Sequence, residues 1–71
     1  MTGRQLKVYL EHNKVVKQQL AKKMGVSKQL LNCYLGTPNI STVVLEAVAD
    51  ALNTTPEHIY SEMRKKGMLD T

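Results

Sequence analysis

The sequence predicts an all-α domain of five short helices, residues 1–71 forming a single unit. Three observations predict it. Apolar residues recur at three- and four-residue spacings, with no alternating run that would make a strand and no internal repeat. Helix-capping side chains stand just before several of these periodic segments. With 71 residues and neither Trp nor Phe, the chain can build only one core, from Leu, Val, Ile, Met, Ala and the tyrosines Tyr9, Tyr34 and Tyr60, and every helix must share it.

The first helix is expected over about residues 3–12. Thr2 followed three residues later by Gln5 is a capping-box signature, and Leu6, Tyr9 and Leu10 make the apolar stripe. Asn13 and Lys14 then break the pattern. A second helix, about 17–24, sets Leu20, Ala21 and Met24 on one face and turns Lys22 and Lys23 away, but Val16 occupies its cap position and cannot accept a hydrogen bond there. Ser27 is a proper N-cap for a third helix over about 28–35, with Leu31, Tyr34 and Leu35 inward. The stretch GTPNIS is a turn: Gly36 is free to take positive φ, and Pro38 disfavours a helical Thr37. A fourth helix runs from about Ser41 to Leu52 on Val44, Leu45, Val48 and Leu52. Thr55 caps the fifth, with Pro56 at its first position; Ile59 and Met63 share its inner face, and it ends in Arg64, Lys65 and Lys66 before Gly67.

The stretch QLAKKMGVSKQLLNCYLG, residues 19–36, reads as one amphipathic helix cut by a glycine. A glycine inside a helix costs about 1 kcal/mol relative to alanine, so Gly25 is expected at positive φ, turning the chain. A three-residue turn, Gly25 to Ser27, lets two helices cross steeply, with Val26 plugging the corner. Ala21 is the small residue that permits the close crossing, and Leu31 folds back beneath it.

At these residues the chain resembles the helix-turn-helix of phage Cro proteins and small repressors, the Cro/XRE type of the lambda-repressor-like fold, with the motif at about residues 17–35. Leu20-Ala21, Met24-Gly25-Val26-Ser27, Leu31 and Tyr34 fall at the family's places. Val15, LEAVADAL in the fourth helix and NTTPEHIY before the fifth extend the resemblance to roughly residues 4–60. Two departures stand out. The family usually has Thr, Ser or Asn and then Gln where this chain has Val16 and Lys17, and the lost cap weakens the second helix by about 1 kcal/mol. Leu10 and Leu35 together replace a common Arg–Glu pair, the change expected when a buried ion pair becomes an apolar contact.

The formal charge of +4 is unevenly spread: residues 1–40 carry a net +6 and residues 41–71 a net −2. The amino-terminal half is thus a candidate polyanion surface, with ordinary solubilising charge as the competing explanation. An α-helix fits the DNA major groove, where side chains on its outer face reach base edges. The outer residues of the third helix are Lys28, Gln29, Asn32 and Cys33: the lysine suits guanine, the amides suit adenine, and the small cysteine suits a thymine methyl. Leu30 either packs against the second helix or touches sugar and thymine methyl. Lys17, Gln18 and Ser27 are candidate phosphate contacts, and Lys14, with Lys22 and Lys23, adds attraction or merely solubility.

No Ser, His and acid set, glycine-rich phosphate loop or paired carboxylates are present, so the chain is read as a non-enzyme without cofactor or small-molecule ligand. His58 and Glu62 lie four residues apart but lack a third metal ligand. A single cysteine, no signal peptide and no long apolar run point to a cytoplasmic protein, in a bacterial or phage setting implied by the resemblance. No ligand-sensing domain is expected within these residues. What the resemblance implies is a sequence-specific, double-stranded-DNA-binding transcription regulator; the alternative is a protein-binding module, antitoxin-like or adaptor. One such domain makes few base contacts, so a weak homodimer on an imperfect palindrome is expected, its contact on the end of the fifth helix and the tail (about 61–71), through Tyr60, Met63, Met68 and Leu69.

Overall fold

The computed structural model describes residues 1–69 and places five helices and no strand in them: α1 (Gly3–His12), α2 (Lys17–Met24), α3 (Lys28–Leu35), α4 (Thr42–Ala51) and α5 (Pro56–Lys65). The fold is all-α. Four of the helices start at a side-chain oxygen. Thr2 Oγ1 accepts from the Gln5 N–H at 3.1 Å while Gln5 Oε1 accepts from the Thr2 N–H at 2.9 Å, completing the capping box. Ser27, Ser41 and Thr55 accept from the N–H groups of Leu30, Val44 and His58 at 3.0, 3.3 and 3.2 Å. Only α2 starts without one, at Val16.

Four helices also end alike. After α2 the Gly25 N–H donates to Lys22 O and the Val26 N–H to Ala21 O, a two-bond cap that requires Gly25 at φ +73°. The same pair of bonds closes α1 around Lys14 (φ +58°), α4 around Asn53 (φ +57°) and α5 around Gly67 (φ +69°). Lysine is the unexpected member of this set. The exception is α3: Gly36, though free to take positive φ, has φ −96°. The chain leaves α3 in a tighter, right-handed turn, with the Gly36 N–H on Cys33 O and the Thr37 hydroxyl on Tyr34 O at 2.8 Å.

Every helix contributes to one core. Leu6, Tyr9 and Leu10 of α1, Leu20 and Ala21 of α2, Leu31 and Leu35 of α3, Leu45, Val48 and Ala49 of α4, and Ile59 and Met63 of α5 are all buried. Leu10 and Leu35 thus both lie in apolar surroundings, where a lone charge would be costly. Tyr34, expected inward, is only half-buried, packed against the edge of the core. Ala49 was not anticipated from the pattern.

The packing order is α1 on α3, α2 on α3 and α4, and α4 on α5. The first residues of the chain pin the corner after α3. Gly3 N–H donates to Thr37 O and Ile40 N–H to Met1 O, each at 2.9 Å. The close approach needs a residue without a side chain: a Cβ on Gly3 would lie 2.5 Å from Leu35 O. The end of α3 is therefore fixed from both sides.

Candidate nucleic-acid interface

The turn between α2 and α3 sets the geometry of the site. With Leu20, Ala21, Leu31 and Leu35 buried, α3 can turn only its opposite face to solvent, and Lys28, Gln29, Asn32 and Cys33 are all exposed along it. Leu30, whose place the sequence left open, is 40% exposed and so is not absorbed by the packing with α2. The Ser27 hydroxyl accepts the Leu30 N–H as a cap, which leaves its own proton free to donate outward.

The amino end of α2 lies beside this row. Because Val16 supplies no cap, the first N–H groups of α2 have no side-chain acceptor, and a helix amino terminus with free N–H groups favours an anion. Lys17 and Asn32 line one hollow there together with Lys7, Leu35 and Gly36. Three helices meet at this spot. Lys7 is exposed and was not singled out by the sequence, whose spacing within α1 carries no information about which other helix lies opposite. Gln18 is exposed at the same helix end. Lys14 stands apart, lining with Gln19 and Lys23 a different hollow toward Leu52.

The sequence model of the Cro/C1-type helix-turn-helix DNA-binding domain matches residues 5–61, which include all of α2, the turn and α3. The chain belongs to the Cro/C1-type family. It is therefore a DNA-binding protein of regulator type, and the crossing of α2 and α3 is the helix-turn-helix of that family. No curated protein and no solved structure matches the chain.

Outside the helix-turn-helix, this Cro/C1-type domain holds a polar cluster where α1 meets α5. The Tyr9 hydroxyl donates to Glu62 Oε2 at 2.8 Å, and His58 Nε2 lies 3.0 Å from Glu62 Oε1. Glu62 is thus engaged by its neighbours, and no group of three or more potential metal ligands occurs among the described residues. The periodicity of α1 marked Tyr9 as core; it could not show that its hydroxyl reaches a residue 53 positions away. No helix of the described residues is long and apolar enough to cross a membrane.

The residues expected at a dimer contact separate. Met63 is fully buried in the chain's own core, so it has no surface to offer a second copy, and that assignment is corrected. Its helical position places it one turn below Ile59, on the face that closes the core. Tyr60, Met68 and Leu69 are half-buried against the same core and keep part of their surface. Asp70 and Thr71, the last positions of the tail, lie outside the described residues.

Proposed function

We propose that this chain is a sequence-specific transcription regulator of Cro or small-repressor kind, binding double-stranded DNA with α3 in the major groove. The observation that carries this reading is the exposed row Lys28, Gln29, Asn32 and Cys33, held at a fixed angle beside the lysines of α1 and α2. Lys28 donates to guanine O6 and N7, Gln29 and Asn32 pair with adenine, and Cys33 lies against a thymine methyl. Leu30, with much of its surface free, adds contact to sugar or a second methyl.

Lys17 and Lys7 flank the reading row and hold the DNA backbone, joined by the Gln18 and Ser27 donors. Lys14 and Lys23 add attraction from the other side of α2. Two copies, each placing α3 in the groove one DNA turn or about 34 Å apart, read an imperfect palindrome as a weak dimer formed through α5 and the tail. Tyr60, Met68 and Leu69 supply what apolar surface remains there. The whole domain, residues 1–71, acts as one unit.

Selection from a pool of random duplexes tests the reading. An enriched motif with two related half-sites is expected, bound with an affinity that falls steeply with salt as counterions are released. Binding to every duplex alike would remove sequence specificity. No binding to DNA at low salt would favour the alternative, an adaptor or antitoxin-like module whose basic face meets an acidic protein.

A further inference from the structure

The amino end of α1 is bonded to the corner that follows α3. Gly3 is the first residue of α1, where an N–H has no partner within its own helix, and it donates instead to Thr37 O at 2.9 Å. Thr37 is at the same time tied to α3, its hydroxyl donating to Tyr34 O at 2.8 Å. Ile40 N–H donates to Met1 O at 2.9 Å, so residues 1–3 run antiparallel to residues 37–40 as a short strap. The capping box aims this strap. Thr2 is held extended (φ −86°, ψ 158°) because its N–H donates to Gln5 Oε1 and its hydroxyl accepts from the Gln5 N–H. With Thr2 so fixed, Met1 leaves α1 along the corner, and both strap bonds form together.

We propose that this strap, aimed by Thr2 and Gln5, sets the tilt of α3 for base reading, which makes both of them positioning residues for DNA specificity and rests on the reading of α3 given above. They act through the helix, not through contact with DNA. Burial of Leu31 and Leu35 fixes the depth of α3 but, being non-directional, does not fix its tilt. Directional bonds do that: the turn at Gly25 sets the amino end of α3, and the strap holds the corner into which its carboxyl end runs. A helix fixed at one end and released at the other moves most at the released end. Asn32 stands three residues before Leu35, about 4.5 Å along the axis, whereas Gln29 is only two residues after the Ser27 cap. Asn32 and Cys33 therefore shift farther than Lys28 and Gln29 when the strap is loosened. A bidentate amide–adenine pair needs two well-aligned hydrogen bonds, and a lysine on phosphate does not. Loosening the strap thus removes discrimination and spares general affinity.

A lost cap also lowers stability, which is the competing explanation. Thr55→Ala removes the cap of α5 without touching the strap and is the control for it. Full-length wild type, Thr2→Ala, Gln5→Ala, Thr2→Ser, Gln5→Glu and Thr55→Ala are compared on the duplex selected by wild type and on random DNA, at a temperature where circular dichroism shows each to be folded. Thr2→Ala and Gln5→Ala should each lower the ratio of specific to random affinity by at least about fivefold, the low end of what one amide–adenine pair discriminates. Thr2→Ser and Gln5→Glu rebuild the box and should return the ratio to within about twofold of wild type. Thr55→Ala should leave it unchanged. A second selection, with Gln5→Ala, should relax the base position that Asn32→Ala relaxes before the one that Gln29→Ala relaxes. A ratio unchanged in Thr2→Ala and Gln5→Ala, or lowered as much by Thr55→Ala, would overturn the role of the strap and leave the reading of α3 standing. A wild type with equal affinity for every duplex would overturn both.

Discussion

The Tyr9 hydroxyl donates to Glu62 Oε2 at 2.8 Å and so ties α1 to α5 from inside a side chain that is otherwise buried. Burial, and then the hydrogen bond and charge of Glu62, push the tyrosine up to about 12. The same hydrogen bond holds the Glu62 carboxyl below its ordinary value against the desolvation that would raise it, with His58 and Lys66 helping. The two groups give stability opposite pH limits. Tyr9, raised in the fold, contributes fully below its ordinary value of 10.0, and that contribution is lost as pH climbs through about 12. Glu62, lowered in the fold, contributes above its ordinary 4.5 and is lost as pH falls through its lowered value. Tyr9→Phe should cost about 1 kcal/mol near neutral pH. In thermal melts the gap between variant and wild type should stay level between those limits and narrow beyond each; a gap constant into strong alkali would show that this contact does not couple folding to pH.

Two glycines are required for different reasons, and substitution separates them. A Cβ on Gly3 would meet Leu35 O at 2.5 Å, Leu35 C at 2.6 Å and Thr37 O at 2.8 Å, all backbone atoms that cannot swing aside. Gly3→Ala should therefore lose about 1–3 kcal/mol, although alanine is the better helix former. Gly25 has open space around it but sits at φ +73°, so Gly25→Ala should lose about 1–2 kcal/mol through backbone strain alone. Denaturant midpoints for the two variants check both, and a stabilised Gly3→Ala would mean that α1 can back away from the corner after α3.

The difference between these glycines marks how far the sequence could be read. Gly25, Ser27 and Thr55 act within a few residues of themselves, and their roles follow from local chemistry. The same locality exposed the outer row Lys28, Gln29, Asn32 and Cys33 once Leu31 and Leu35 were committed inward. Gly3 against Leu35, Tyr9 against Glu62, and Lys7 beside Lys17 depend on how helices distant in sequence pack, which no spacing within one helix records. Gly36 is a related case: its negative φ goes with a corner, Thr37 to Ile40, that is held by bonds to Gly3 and Met1, far away in the sequence.

Val16 leaves α2 uncapped while its backbone, at φ −81° and ψ 120°, already has the extended conformation of an N-cap residue. Its side chain is 53% exposed, so little packing is lost on replacement. Val16→Ser should therefore stabilise the domain by about 1 kcal/mol, read as a shift in denaturant midpoint. An unchanged midpoint would mean that another group already satisfies the amino end of α2 in solution.

Lys14 occupies a left-handed position, φ +58°, that costs a non-glycine residue about 1–2 kcal/mol. Glycine would remove that strain but add freedom to the unfolded chain, so Lys14→Gly should gain no more than about 1 kcal/mol. The same variant removes one positive charge. DNA binding should weaken slightly and equally on all duplexes while the melting temperature rises, and a drop in both would show that the lysine side chain also supports the fold.

The reading face and the backbone clamp predict different patterns of loss on DNA. Gln29 and Asn32 are exposed on α3, and a bidentate amide–adenine pair discriminates by about 1–3 kcal/mol only where the right base is present. Gln29→Ala or Asn32→Ala should therefore weaken binding to the selected site by that amount and leave random DNA nearly unchanged. Lys7 and Lys17, which share a hollow at the meeting of α1, α2 and α3, act on a phosphate that every sequence provides. Lys7→Ala and Lys17→Ala should weaken both kinds of DNA alike and each reduce the slope of log affinity against log salt by about one. Asn32 borders the same hollow, so it is the critical case. If Asn32→Ala followed the lysines, losing affinity equally on specific and random DNA, then Asn32 would belong to the phosphate clamp, and base reading would fall to Lys28, Gln29 and Cys33 alone.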